Sequence, residues 1–220
     1  ELIRVLLDKN CGKKVLNVKD GTQMSPMHIA AAHDFLEGIK ILTTYGFNHA
    51  VKTDRGISPL MCAVSQTNPG QSSLDMVKYM VRKLDINGIN MQDKWGQTAL
   101  HYASDDQWME AAEVLLKHGR HRNISDHAGH TSLFDVVGSN TYSHYKYFWY
   151  VVAADARVKK GEDILKLLIK HRADVNLQDK DGATVLHRVV TKPDLDQQFD
   201  HYVAMFNTIL AAGADVHLKV

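Results

Sequence analysis

Ser25-Pro26-Met27-His28, Ser58-Pro59-Leu60-Met61, Thr98-Ala99-Leu100-His101, Thr131-Ser132-Leu133-Phe134 and Thr184-Val185-Leu186-His187 are versions of one short phrase, and their recurrence decides the fold. The hydroxyl residues stand at 25, 58, 98, 131 and 184, so successive copies lie 33, 40, 33 and 53 residues apart. A 33-residue base period with two longer intervals describes one supersecondary unit repeated in a stack, with insertions in two copies. Such a stack presents a long continuous surface instead of a single cleft, so the expected function is binding.

Working outward, four of the phrases follow a polar turn: Thr53-Asp54-Arg55-Gly56, Asp93-Lys94-Trp95-Gly96, Asp126-His127-Ala128-Gly129 and Asp179-Lys180-Asp181-Gly182. An acidic residue and a glycine around a tight turn suit a hairpin tip that needs positive φ. The hydroxyl then falls where a helix begins and acts as N-cap, with proline tolerated next, as at Pro26 and Pro59. Beyond each first helix lies a second stretch with apolar residues at helical spacing. These stretches are Ile39–Leu42, Met76–Met80, Ala112–Leu116, Ile164–Leu168 and Phe206–Leu210. Gly46, Gly119 and Gly213 supply the stops. The unit is therefore hairpin, helix, turn and helix.

This unit resembles the ankyrin repeat. The family phrase Thr-Pro-Leu-His followed by two alanine-like residues stands here as Ser25-Pro26-Met27-His28-Ile29-Ala30-Ala31. The closing phrase Gly-Ala-Asp-Val-Asn stands as Ala173-Asp174-Val175-Asn176 and as Gly213-Ala214-Asp215-Val216-His217. The resemblance covers nearly the whole chain. Met61 and Phe134 replace the family histidine, and Ala99 and Val185 replace its proline, which weakens individual capping networks. It implies an all-α solenoid with β-hairpin fingers, in which His28, His101 and His187 are structural and each belongs to a different layer.

The expected organisation is a partial repeat over 1–18, then repeats over 19–51, 52–91, 92–124, 125–177 (with an insertion at 138–161) and 178–218. Glu1 to Asp8 read as a second helix without its partner, and Asp215 to Val220 as a hairpin that never turns. Neither edge carries the polar face of a capping repeat, so the chain is expected to be an excerpt of a longer array or to be completed by missing segments. Ser65 to Ser73 reads as a lengthened loop, and Lys192-Pro193-Asp194-Leu195-Asp196 as a smaller solvated one. The insertion at 138–161 contains Tyr142, Tyr145, Tyr147, Phe148, Trp149 and Tyr150 within the stretch 142–152. Burial favours a lengthened helix packing these rings on the solenoid; an aromatic contact patch is the other reading. Insertions between helices are more similar to signalling members of the family, such as the Notch intracellular domain and inhibitors of NF-kappaB type, which act in assemblies controlling transcription.

Composition narrows the function classes. The 220 residues are 45% hydrophobic and 23% charged, with 26 basic and 25 acidic side chains and a net charge of +1. That range is globular and not disordered, and its balance gives no global drive toward nucleic acid or anionic membrane. Two cysteines, Cys11 and Cys62, make neither a disulfide framework nor a zinc site, which fits a reducing, intracellular setting in cytoplasm or nucleus. No apolar run reaches the roughly 20 residues that span a bilayer, and no signal-peptide pattern opens the chain. His118, His121, His127 and His130 with Arg120 and Arg122 invite a zinc or nucleic-acid reading, but no thiol stands near and the residues straddle a helix end and a hairpin. No nucleophile elbow or phosphate loop is present, so no catalytic, metal or cofactor residues are assigned and the chain is read as non-enzymatic. Recruitment of substrate for an enzyme elsewhere in a longer chain is the alternative.

The expected partners are other proteins, transcription factors or co-regulators among them. By the family's mode of binding, contacts come from hairpin tips and inner faces of first helices, where aromatic and arginine anchors concentrate interface energy. The candidates are Arg55, Lys94, Trp95 and His127 at the tips, and Tyr102, Asp105, Asp106 and Trp108 near the inner end of the third first-helix. Trp95 is shared between partner contact and packing on a neighbouring tip; Asp105 and Asp106 between loop solvation and contact with a basic partner; Trp108 between contact and core.

Overall fold

The structure is a computed structural model and describes residues 18–65, 71–119, 121–138, 158–191 and 195–219. The helix expected over Glu1 to Asp8, Cys11, Arg120 and the aromatic stretch 142–152 lie outside the described residues. The described residues form eleven helices. They are α1 (Pro26–Ala32), α2 (Leu36–Thr44), α3 (Pro59–Val64), α4 (Gln71–Lys83), the single-turn α5 (Ile86–Ile89) and α6 (Ala99–Asp105). There follow α7 (Met109–Gly119), α8 (Ser132–Val136), α9 (Val158–Lys170), α10 (Val185–Val190) and α11 (Leu195–Ala211).

The first helices start where the repeated phrase places them. Ser58 is extended at φ −97° and ψ 158°, its Oγ accepts the Met61 amide at 3.3 Å, and Pro59 opens α3. In α1, α6 and α10 the third helical residue is histidine. His101 Nδ1 accepts the Thr98 amide at 3.0 Å and lies 2.8 Å from the Thr98 hydroxyl, while its Nε2 reaches the His130 carbonyl of the next finger at 3.1 Å. His28 does the same between Ser25 and the Ile57 carbonyl, at 3.2 Å and 2.9 Å. A carbonyl only accepts and an amide only donates, so both rings are neutral with the proton on Nε2. At Thr131, where Phe134 replaces the histidine, the buried Oγ1 has no hydrogen-bond partner.

The helices pack as two layers. α1, α3, α6, α8 and α10 lie side by side, and α2, α4, α7, α9 and α11 form the second row behind them. Neither row alone could bury its apolar face; stacked, they enclose a core rich in methionine and leucine. Met27, Leu60, Met61 and Leu133 fill it from the first helices, and Ile39, Met76, Met80, Ile164, Leu165, Leu168, Met205 and Ile209 from the second. Side-chain amides tie neighbouring repeats along the stack. Asn90 Nδ2 donates to the Gly119 carbonyl at 2.6 Å, and Asn176 Nδ2 to the Gly213 carbonyl at 3.1 Å.

Several local expectations are corrected. Gln71 to Ser73 belong to α4 and not to a loop, and Ser73 is buried; 66–70 lie outside the described residues. Leu195 and Asp196 begin α11, and 158–161 belong to α9, so helix propagation takes up the edges of both expected insertions. Gly46 and Gly213 stop their helices at φ 83° and 90°, but Gly119 is the last helical residue of α7, ended by the Asn90 bond. Among the described residues the fingers form no strand, because each closes through a single i to i+4 bond, such as Asp93 to the Gln97 carbonyl at 2.9 Å.

The buried histidines make stability pH-dependent. Burial pushes the imidazoles of His28 and His101 below their ordinary 6.5. The folded state keeps them neutral while the unfolded chain protonates near 6.5, so their stabilisation is complete above that pH and is lost as pH falls toward the folded values. Each histidine can contribute a slope of up to about 1.4 kcal/mol per pH unit in that window. Urea midpoints measured between pH 7.5 and 5 should fall with pH; a flat profile would contradict the neutral assignment.

Candidate protein-binding face

The fingers are built by their leading side chain. Asp93 Oδ1 accepts the amides of Trp95 at 2.8 Å and Gln97 at 3.0 Å. Asp126 repeats this with Ala128 and His130 at 2.8 and 2.9 Å, and Asp179 with Asp181 and Ala183, both at 2.9 Å. Thr53 Oγ1 takes the equivalent Ile57 amide at 3.1 Å. A carboxylate accepting two backbone amides fixes the turn and turns its own charge inward.

The other oxygen of Asp93 and of Asp179 grips the first helix nine residues on. Tyr102 Oη donates to Asp93 Oδ2 at 2.9 Å. Arg188 Nε donates to Asp179 Oδ2 at 3.0 Å, joined by Nη2 of the same guanidinium, and His130 Nε2 lies 3.5 Å away. The Asp179 side chain is fully buried. Burial pushes its carboxyl up, but the Arg188 bonds and the two amides outweigh it and hold the group below 3.8.

Neighbouring fingers are stitched by backbone. The Lys94 amide donates to the Arg55 carbonyl at 2.9 Å, the His127 amide to the Trp95 carbonyl at 2.8 Å, and the Lys180 amide to the Ala128 carbonyl at 2.9 Å. Gln92 Nε2 adds bonds to Gly96 of its own finger at 2.6 Å and Ser125 before the next at 3.0 Å. Four fingers thus form one continuous edge, each step repeating the last.

Of the candidate contact residues, the structure brings Arg55, Lys94, Trp95 and His127 together on this edge. Arg55, Lys94 and His127 are exposed, and Trp95 is half-buried with Lys94 Nζ 4.2 Å from its ring centroid. Tyr102 and Trp108 are buried at 9% and 6% exposure. Tyr102 is spent on Asp93, and Trp108 opens the turn into α7 as core, with its amide on the Ala103 carbonyl at 2.9 Å. Asp105 closes α6 and Asp106 caps it, both half-buried and away from the tips. Lys180 was not among the candidates, yet it is exposed and holds the same step as Lys94 and His127. Aligning the turn tetrapeptides, in which all three occupy the second position, is the signal that points to it.

The histidine-rich stretch does not assemble a metal site: among the described residues no three His, Cys, Asp or Glu side chains group around a common point. His118 Nδ1 bonds the Val114 carbonyl at 2.8 Å, and His130 stacks on Phe134 with centroids 5.0 Å apart. Desolvation pushes the half-buried Cys62 thiol up to about 12, away from the thiolate form. Among the described residues no helix is long and apolar enough to cross a membrane.

Comparison with known proteins gives the same architecture. The family model described as Ankyrin repeats (3 copies) matches residues 1–88 and 70–160, and that described as Ankyrin repeats (many copies) matches 153–196. Ankyrin repeat protein L371 of Acanthamoeba polyphaga mimivirus is 26% identical over 222 residues, covering 100% of this chain and 25% of its own length. Neurogenic locus notch homolog protein 1 of Xenopus laevis is 31% identical over 123 residues, covering 54% of this chain and 4% of its own. The chain therefore spans a quarter or less of these two relatives. An ankyrin repeat domain from Acinetobacter baumannii AYE superposes at TM-score 0.72 with 21% identity, over 97% of this chain and 92% of that one, which shows the fold. Family models, repeated phrase and two-layer stack together place this chain in the ankyrin repeat family, whose repeats generally mediate protein–protein interaction.

Proposed function

We propose that the chain is a non-enzymatic scaffold that docks a protein partner on its finger edge, within an intracellular signalling or transcription-regulating assembly. The observation that carries the site is the backbone-stitched row of fingers, which holds exposed Arg55, Lys94 and His127 beside the half-buried Trp95. Rigid presentation lowers the ordering cost of binding, and arginine and tryptophan are the side chains that most often dominate interface energy. The regulatory setting rests on the partial likeness to a Notch protein, cytoplasmic or nuclear location with it. Partners of the transcription-factor or co-regulator class fit that setting.

Affinity capture from cell extract tests the site, comparing the chain with a Trp95→Ala, Arg55→Ala, Lys94→Ala triple variant. Arg55 and Lys94 are exposed and Trp95 is only half-buried, so the helical circular dichroism should persist while captured partners fall at least tenfold. Equal capture by both chains would remove the finger edge as the docking face.

A further inference from the structure

Three of the four fingers spend their leading aspartate on their own turn and present a basic side chain at the next position. Asp93, Asp126 and Asp179 are turned into their own turns by backbone amides. Lys94, His127 and Lys180 occupy the next position, where the chain bends outward, and all three are exposed. In the preceding finger that position is Asp54, and the exposed Arg55 is the residue after it, its carbonyl bonded to the Lys94 amide. The exposed carboxylates on the edge, Asp54 and Asp181, are each paired with a cation of the chain, Lys19 at 3.4 Å and Arg188 at 3.3 Å, which leaves Arg55, Lys94 and Lys180 as its outward charge.

We infer that the finger edge takes an extended acidic peptide segment, laid across successive fingers with a carboxylate at about every third residue. The inference rests on the docking reading above and specifies its partner. The periodicity follows from geometry: packed helices lie about 8–10 Å apart. An extended polyproline-II segment advances about 3.1 Å per residue with three residues per turn, so one finger step matches one turn and every third side chain faces the edge. Carboxylates at i, i+3 and i+6 then meet Lys94, His127 and Lys180 in turn, with Arg55 beyond. Lys94 also lies over the Trp95 ring, which holds its ammonium in place on the edge.

Nucleic acid fits this edge poorly. Its stacking would need an open aromatic face, whereas the Lys94 ammonium occupies one side of Trp95 at 4.2 Å. Asp54 and Asp181 stand on the same edge with side chains 66% and 79% exposed, and they would repel a continuous phosphate backbone. A peptide can place neutral residues opposite them.

The test uses a fluorescent 12-residue probe with Glu at every third position and Ser, Gly and Ala between, titrated by anisotropy against the chain at low salt. Its composition-matched scramble, its Glu→Gln version and a single-stranded oligonucleotide of similar length are measured alongside. The regular acidic probe is expected to bind at least tenfold more tightly than the scramble and to weaken as salt rises. The Lys94→Glu, Lys180→Glu chain should lose at least tenfold, and the Lys94→Arg, Lys180→Arg chain should retain binding, which separates charge from misfolding. Equal binding of probe and scramble, no effect of the glutamate pair, or preference for the oligonucleotide would each overturn the inference. If the triple alanine variant loses captured proteins while the acidic probe does not bind, the docking face stands and only the acidic-peptide inference falls.

Discussion

Replacing Asp179 with alanine is expected to destabilise the fold by about 2–4 kcal/mol, chiefly because two turn amides lose their buried acceptor. The side chain is completely buried and serves four groups at once: the amides of Asp181 and Ala183, the Arg188 guanidinium and the nearby His130 ring. Removing it leaves two turn amides without their acceptor and Arg188 facing only the exposed Asp181, 3.3 Å from Nη2. Asp179→Asn keeps an oxygen for the amides and loses the charge, so it should cost roughly half as much. Because stability in a stacked array is a sum of nearest-neighbour terms, the loss should appear first in the last helix pair. Hydrogen exchange is the discriminating measurement: amides of α10 and α11 should lose protection before those of α3 and α4. A urea shift equivalent to less than about 1 kcal/mol would show that the Asp179 cluster is not a structural lock.

Gly129→Ala should be the second large effect, and Gly46→Ala its control. Both glycines have left-handed backbones, φ 87° and 83°, so both substitutions carry a conformational penalty of about 1–2 kcal/mol. They differ in surroundings. A Cβ on Gly129 would sit 2.8 Å from Asp179 Cα and 2.8 Å from the Lys180 nitrogen, both backbone atoms of the next finger. A Cβ on Gly46 meets nothing within 4 Å. Overpacking against backbone adds about 1–3 kcal/mol and would pry apart the Ala128 to Lys180 bond of the finger edge. Thermal unfolding of the two variants should therefore separate by several degrees. Equal midpoints would mean that the fingers are loosely stacked, contrary to the rigid edge on which docking depends.

Much of the fold is legible in the residues because the repeat is encoded locally. A hydroxyl before a helix start, proline after it and a histidine three residues on each act within one turn, and Ser58, Thr98 and Thr184 cap where the phrase places them. Apolar spacing likewise marks Met76 to Met80 and Ile164 to Leu168 as second helices, since amphipathic period is a property of the chain itself. Less legible were boundaries set by neighbours. Gln71 to Ser73 look like a polar loop, yet they join α4 because Ser73 is buried against the stack. Gly119 looks like a stop of the Gly46 kind, but the Asn90 amide from the preceding layer supplies the cap.

The candidate face divides in the same way. The turn tetrapeptides alone determined that Arg55, Lys94, Trp95 and His127 occupy finger tips, because each tip position follows from its own turn. Only the tertiary structure decided that Tyr102 and Trp108 are buried, that backbone bonds stitch the tips into one row, and that the leading aspartates Asp93, Asp126 and Asp179 are spent on their own turns. The physical reason is range. Capping and turn chemistry are settled within about four residues, whereas burial and finger register depend on hydrogen bonds such as His101 to His130 and Asn90 to Gly119, each spanning 29 residues.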